Sequence, residues 1–400
     1  MAALPAASPA VPSPAVEAAS RKHNRIFAAI CGVAFLGTAA FNFAVDPFRV
    51  FHDAWSRPYA RPERYLVPGL IYNSRHEYNA ITVGTSHSGN FSPKLIDEEL
   101  GWKTLRATLD GSTTPEQLMV VRAALAAGRT KHILWGIDFF ATQDPPERAA
   151  AGGKIPLHLY DKNWRTPFNY LVSSDTLHDS YRMLQGRGER DITKRGAWFD
   201  EQRHRFGPGK AMEAWPAWIE YKFSLNPKPV PDVQDRNVAS IVQIIRDNPQ
   251  VEFVCLLPPI SVLSAIPECE QGGGLFAERV RFRRDLFDGL VDLPNCKLFD
   301  FEQMDEVTQN LELYKDPTHY GQEINDRMVR EIRAGRYRMT HENIDAFQSH
   351  FQQYTARFLA EVTQPTHALH ASLGMSTREL TPPRLGPTQW AGKEVPTRRQ

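Results

Sequence analysis

The sequence lacks the signatures of several large protein classes. Its 47 basic and 46 acidic residues leave a formal net charge of +1 over 400 residues, and no basic-aromatic ladder indicates nucleic-acid binding. Neither a G-x-G-x-x-G run nor a Walker A run is present. Only four cysteines occur, and their spacing fits no zinc pattern. The sequence therefore predicts no cofactor, no metal and no nucleic-acid partner.

The cysteines leave one question open. Cys31 lies in an apolar segment, where a thiol is expected to be inert. Among Cys255, Cys269 and Cys296, one disulfide is compatible with an oxidising compartment, and buried free thiols are the alternative.

Charge is also missing from residues 26–45, "IFAAICGVAFLGTAAFNFAV". Twenty helical residues extend about 30 Å, which is enough to cross the hydrocarbon core of a bilayer. We expect an uncleaved transmembrane anchor; a cleaved signal peptide and a buried soluble helix are the alternatives. The basic residues just before it favour a cytoplasmic N-terminus and a periplasmic domain, although four arginines follow on the other side.

The flanking segments differ in composition. Residues 1–25 begin with an Ala/Pro-rich stretch and are predicted to be a disordered tail with a basic end. Residues 46–77, rich in Pro, Arg and aromatic side chains, are predicted to be an irregular linker. Residues 341–363 are predicted to form a C-terminal helix, and residues 364–400 a disordered tail.

Between these segments, residues 78–340 alternate short apolar runs with amphipathic stretches. A region over 141–232 interrupts this rhythm and is predicted to be a mostly helical insertion, of the kind that forms lids or binding surfaces. Strand-helix alternation implies a parallel sheet covered on both faces. The predicted fold is α/β, a flavodoxin-like doubly wound sheet of about five strands, whose site lies beyond the carboxyl ends of the strands.

The stretch "GTSHS" follows the first predicted strand. Ser86 is therefore a candidate nucleophile displayed at the carboxyl end of a strand, and its own N–H could face a developing oxyanion. An ordinary surface turn explains the same letters. His87 is adjacent in sequence and would point away from Ser86 on an extended backbone, so we interpret it as a packing or substrate residue.

The stretch "LYKDPTHYG" supplies a candidate base. Asp316 could accept the Nδ1–H of His319 and leave Nε2 free to take the proton of a serine. The competing interpretation makes Asp316 the N-cap of a helix with Pro317 at its first position. Two further polar stretches end the second and third predicted strands. Gly111 could donate a backbone N–H to an oxyanion there, whereas Asp138, when ionised, cannot donate.

Taken in order, these stretches resemble the SGNH (GDSL-like) hydrolase superfamily. A single N-terminal anchor, "VDPFRVF" just after it, "GTSHS" and "YKDPTHYG" resemble more narrowly its membrane-anchored branch, which includes relatives of the alginate O-acetylation and D-alanyl-lipoteichoic acid biosynthesis proteins. The resemblance covers about residues 45–335.

The resemblance implies Ser86 as nucleophile, His319 as base and Asp316 as its orienting carboxylate. It implies an oxyanion hole formed by the N–H groups of Ser86 and Gly111. Asp138 stands where the superfamily carries an Asn donor, so either Asp138 is protonated, another group donates, or activity is modest.

The expected function is serine-dependent transfer or hydrolysis of an acyl ester, with acetyl as the expected group, on a cell-envelope polysaccharide. The expected partners are that polysaccharide or acyl-ester substrate, the membrane, and a membrane protein that donates the acyl group. The alternative is a catalytically inactive SGNH-like component that binds polymer or scaffolds an envelope polysaccharide complex.

Overall fold

The computed structural model describes residues 14–52, 63–73, 77–143, 155–161, 165–185, 206–211, 213, 231–265 and 274–357. The chain divides into two compact units. One, the anchor unit, comprises residues 1–60 and 162–190; the other, the sheet unit, comprises residues 61–161 and 191–400. The predicted insertion over 141–232 is therefore split, because its part over 162–190 belongs to the anchor unit.

The anchor unit is built on one long helix, α1 (Pro14–Val45). Within its segment Ala19–Val45, an 18-residue stretch has a mean hydropathy of 1.9, and the helix is long and apolar enough to cross a membrane. The helix begins at Pro14, whereas residues 14–25 were predicted to be part of a disordered tail. The run "PAVEAAS" explains this, since Pro is tolerated in a first helical turn and Ala favours helix. Residues 1–13 and the tail predicted over 364–400 lie outside the described residues.

Two short helices pack against α1 within the anchor unit: α8 (Arg165–Val172) and α9 (Ser174–Leu184). Asp46 fixes the turn that follows α1. Its carboxylate accepts hydrogen bonds from the backbone N–H groups of Val50, Phe51 and His52 at 2.7–2.9 Å. The "VDPFRVF" segment is thus a compact turn at the end of the apolar helix.

The sheet unit contains five strands, all parallel, in the order β2-β1-β3-β4-β5. All five predicted strands are confirmed. They are β1 (Ala80–Val83), β2 (Thr104–Arg106), β3 (His132–Gly136), β4 (Glu252–Leu257) and β5 (Cys296–Asp300). Apart from edge strand β2, these strands are almost entirely buried, which requires that both faces be covered.

Helices cover the sheet on both faces, and each face has its own apolar cluster. The helices of the sheet unit are α2 (Glu63–Asn73), α3 (Ser86–Gly89), α4 (Pro93–Leu100), α5 (Thr114–Ala127), α6 (Phe139–Gln143), α7 (Leu157–Tyr160), α10 (Pro231–Arg246), α11 (Gly274–Leu290), α12 (Asp305–Thr308), α13 (Gln322–Ala334) and α14 (344–357).

Helix α2 lies in the segment predicted to be an irregular linker over 46–77, and the structure differs there. Arg64 is buried and donates two hydrogen bonds to the carboxylate of Glu116 on α5, at 2.8 and 3.0 Å. Composition alone could not reveal this pairing, because the two residues are distant in sequence. In the predicted C-terminal helix over 341–363, helix is described over 344–357, and residues 358–363 lie outside the described residues.

Candidate functional site

Strand β1 is followed by Gly84, where any side chain would require neighbouring atoms to move. Gly84 has φ +140°, and a Cβ there would lie 2.3 Å from Ser88 Oγ and 2.8 Å from the carbonyl oxygen of Gly136. This close approach lets the chain turn directly from β1 into α3, with Thr85 as the N-cap and Ser86 as the first helical residue. Ser86 is therefore presented, half-buried, at the carboxyl edge of the sheet.

Ser86, His319 and Asp316 form a continuous hydrogen-bonded relay. Ser86 Oγ lies 2.8 Å from His319 Nε2, and His319 Nδ1 lies 2.8 Å and 2.9 Å from the two carboxylate oxygens of Asp316. The serine and the histidine are separated by 233 positions in the chain. The geometry is that of a nucleophile, a base and a group that orients the base.

The loop that carries the histidine differs from the sequence-based expectation. The final helix of the sheet unit, α13, begins at Gln322 with Gly321 as its N-cap, so the interpretation of Asp316 as a helix N-cap with Pro317 at the first position is wrong. Asp316 Oδ1 instead accepts the backbone N–H groups of Thr318 and His319, each at 2.9 Å. The carboxylate closes a tight turn and so fixes the backbone of the residue whose ring it orients.

The charges and burial around Asp316 and His319 favour an imidazole that can accept a proton from Ser86. Burial by itself raises the pKa of Asp316, but its bonds to His319 and to two backbone N–H groups outweigh this and hold the pKa well below its usual range. Burial lowers the pKa of His319, against the opposing effect of Asp316. Since an ionised carboxylate only accepts, Nδ1 carries the proton, and Nε2 accepts from the Ser86 hydroxyl.

Asp138, the candidate at the end of the third strand, lies near Ser86 and hydrogen-bonds the two residues beside it. It is buried, and its two oxygens accept from His87 Nδ1 at 2.5 Å and from Thr85 Oγ1 at 2.7 Å. Both partners flank Ser86 in the sequence. Asp138 therefore acts as an acceptor that holds the two neighbours of the serine, and both of its oxygens are engaged.

His87 is the residue at this site whose bonding the sequence did not anticipate. Its ring centroid lies 5.0 Å from that of His319 and 5.9 Å from that of Tyr320. Its Nε2 is buried and has no hydrogen-bond partner within the described part of the chain. The prediction placed His87 on extended backbone, whereas residues 86–89 are helical, and only the fold shows that Asp138 is close enough to bind it.

Gly111 follows β2 in a turn that is tied to the end of β1. The carbonyl oxygen of Gly84 accepts from the Leu109 N–H at 3.0 Å and from Ser112 Oγ at 3.4 Å. Gly111 itself is exposed, has φ +54°, and has open space where a side chain would be. The turn therefore places Gly111, whose backbone has no side chain around it, at the same edge of the sheet as Ser86.

A half-buried carboxyl group, that of Asp110, adjoins this glycine. Burial, followed by the nearby Glu63 carboxylate, raises the pKa of Asp110 to about 8, despite the opposing charges of Arg64, Lys315 and Arg106. At neutral pH its carboxyl group is thus largely protonated and able to donate a hydrogen bond. Sequence reasoning missed this group because its environment comes from segments far apart in the chain.

The described residues contain no group of three His, Cys, Asp or Glu side chains able to hold a metal ion. Cys255 and Cys296 lie on neighbouring strands as free, buried thiols with their sulfur atoms 3.9 Å apart. Cys269 lies outside the described residues. Comparisons with protein-family models and with curated proteins returned no match for this chain.

Proposed function

We propose that this chain is a membrane-anchored, serine-dependent enzyme of the SGNH type that transfers or hydrolyses acyl esters. The observation that carries the proposal is the relay of Ser86, His319 and Asp316, with 2.8 Å between the serine oxygen and the histidine nitrogen. The strand order supports it, since 2-1-3-4-5 is the order of flavodoxin-like sheets. Such sheets bind ligands where β1 and β3 diverge, and Ser86 follows β1.

The proposed chemistry has two balanced halves. Ser86 Oγ attacks the ester carbonyl while His319 Nε2 takes the hydroxyl proton, a step of general-base catalysis worth about 10²–10⁴ in rate. The tetrahedral intermediate collapses, the alcohol leaves with the proton held by His319, and the acyl group remains on Ser86. A sugar hydroxyl or water then attacks the acyl-serine and gives its proton to His319, which returns a proton to Ser86 Oγ as the new ester or the acid is released.

The oxyanion would be stabilised by the backbone N–H groups of Ser86 and Gly111. The Asn donor of the superfamily has no counterpart in Asp138, because both oxygens of that carboxylate already accept hydrogen bonds. We propose that this position has changed its role, from donating to the oxyanion to holding Thr85 and His87 on either side of the nucleophile.

The proposed substrate is an acyl ester, with acetyl as the expected group, on a cell-envelope polysaccharide, supplied by a membrane acyl donor. This part rests on the resemblance of "GTSHS" and "YKDPTHYG" to the membrane-anchored SGNH-like proteins and on the apolar helix α1. We propose that α1 is a single-pass anchor with a cytoplasmic N-terminus and that the sheet unit is periplasmic.

The test is labelling of the detergent-solubilised protein with a fluorophosphonate probe. We expect labelling of the wild type, none in Ser86→Ala, and strongly reduced labelling in His319→Ala. Ser240→Ala is the matched control, because Ser240 lies on the surface of α10 and only bonds the carbonyl of Arg236 one turn earlier. It should label like the wild type.

Two outcomes would overturn the proposal. Correctly folded wild-type protein that resists the probe would exclude an activated serine and leave the polymer-binding or scaffold function. Labelling that survives in Ser86→Ala would place the nucleophile elsewhere. If the probe reacts as expected, incubation with p-nitrophenyl acetate followed by intact-mass measurement should detect an acetyl adduct that Ser86→Ala lacks.

A further inference from the structure

Helix α9 in the anchor unit has an exposed apolar stripe. Leu177, Tyr181 and Leu184 are 37%, 57% and 55% exposed, and their spacing of four and three places them along one line of the helix surface. A second face of α9 is buried, and a third face is polar and exposed. The buried residues are Thr176, Asp179, Ser180 and Met183, and the exposed polar residues are Asp175, His178 and Arg182.

The stripe is fixed to α1 through buried polar contacts. Asn42 on α1 is fully buried and donates to the carbonyl oxygens of Leu171 and Ser173 at 2.8 and 3.3 Å. Its own side-chain oxygen accepts from Ser180 Oγ on α9 at 3.1 Å. Because these groups are satisfied by one another, α8 and α9 are anchored to the last turns of α1 and cannot be regarded as a loosely attached loop.

The position of these contacts along α1 indicates how deeply α8 and α9 would lie in a bilayer that α1 crosses. The side chains of α1 are exposed from residue 19 through Gly37, and one side of the helix, including Asn42 and Val45, is covered between Thr38 and Val45. That covered segment rises about 10 Å at 1.5 Å per residue. If α1 crosses a bilayer, α8 and α9 flank its last 10 Å or so, and interfacial helices bury their apolar face to a depth of about 5–10 Å.

A second contact extends the apolar surface. Phe168 on α8 is 54% exposed, and its ring centroid lies 5.8 Å from that of Phe35 on α1. Phe35 belongs to the segment of α1 whose side chains are otherwise exposed and would face lipid. The surface of α8 is thus continuous with the surface of the membrane helix.

We propose that α8 and α9 form an interfacial membrane-binding pair at the Val45 end of the span, with Leu177, Tyr181 and Leu184 inserted into lipid. A bilayer fits this surface because Phe168 on α8 continues the exposed apolar surface of α1, and because tyrosine, here Tyr181, favours the membrane–water interface. The inference depends on α1 as a span and is independent of the chemistry of Ser86.

The test uses the full chain in lipid nanodiscs, with a cysteine at position 184 that carries an environment-sensitive fluorophore. The background carries Cys31→Ser and Cys269→Ser, while Cys255 and Cys296 remain because both are buried. Leu184→Cys is compared with His178→Cys, which lies on the polar face of the same helix. Val33→Cys, on the exposed part of α1, reports the span itself.

We expect the label at position 184 to shift to the blue and to be quenched by lipids carrying a nitroxide near the headgroup. The label at position 178 should be quenched by aqueous iodide instead. Equal iodide quenching at both positions would overturn the proposal. Protection of position 184 from lipid and aqueous quenchers alike would also overturn it, and would indicate a protein partner. Lipid quenching at position 33 without quenching at position 184 would leave the span intact and refute only the interfacial pair.

Discussion

Asp138→Asn is the substitution that best separates the two roles open to this position. The resemblance would treat Asn as the restored oxyanion donor, so that the variant would gain activity. The structure instead shows the carboxylate accepting from His87 Nδ1 and Thr85 Oγ1, on either side of Ser86. If holding those two residues is its role, the variant loses both stability and activity.

The expected loss can be worked out from the two contacts. In its better orientation the Asn oxygen accepts from His87 and its NH₂ donates to Thr85, so both contacts persist without the carboxylate charge. A hydrogen bond to a charged group contributes about 1.5–3 kcal/mol and a neutral one about 0.5–1.5 kcal/mol, so each contact weakens by about 1–1.5 kcal/mol and the free energy of unfolding should fall by about 2–3 kcal/mol. Displacement of the nucleophile should lower kcat/KM about tenfold or more.

Stability is measured by urea denaturation in detergent, followed by tryptophan fluorescence, and activity by turnover of p-nitrophenyl acetate. Asp292→Asn is the matched control, because Asp292 also pairs with a histidine, His341, at 2.9 Å, but both side chains are mostly exposed. That variant should match the wild type in both assays.

The decisive outcome is the direction of the rate change. An Asp138→Asn variant that is as stable as Asp292→Asn and faster than the wild type by about 10²–10³ would refute the holding role. It would show that the position faces the oxyanion and that the native carboxylate had suppressed activity.

Three further predictions follow from the same site. Since only neutral imidazole accepts a proton, kcat/KM should rise with pH through the pKa of His319, with a midpoint below about 6.5; a higher midpoint in the pH–rate profile would contradict this. Asp316→Asn can keep the turn but loses the Nδ1 acceptor and the carboxylate charge, so kcat should fall by about 10³–10⁴ and the urea midpoint at neutral pH should also fall, because a carboxylate whose pKa is held low stabilises the folded state. Gly84→Ala should reduce the free energy of unfolding by at least about 2 kcal/mol, because the added Cβ would overlap Ser88 Oγ and the Gly136 carbonyl. An unchanged urea denaturation curve would contradict this and show that the turn relaxes around the added methyl group.

Local sequence patterns were sufficient to predict the strands of the sheet. Four of the five strands are short, mostly apolar runs, as burial on both faces of a parallel sheet requires, whereas edge strand β2 is half-buried. Helix α2 was missed because its surroundings resemble a linker and because its stabilising partner, Glu116, lies 52 positions away. The start of α1 was missed because alanine and proline together are typical of disordered tails, although proline also suits a helix start.

The sequence by itself determined which residues have the chemistry for the site and that an uncharged segment precedes them. The sequence singled out Ser86, Asp316 and His319 as candidates because the serine follows a predicted strand, the carboxylate and the imidazole are three residues apart, and both stretches resemble the SGNH superfamily. Only the tertiary structure decided that Asp316 closes a turn, that Asp138 binds His87, and that Asp110 lies half-buried among charged groups. Hydrogen-bond partners and burial depend on segments that folding brings together from distant positions, and a linear pattern does not encode those distances.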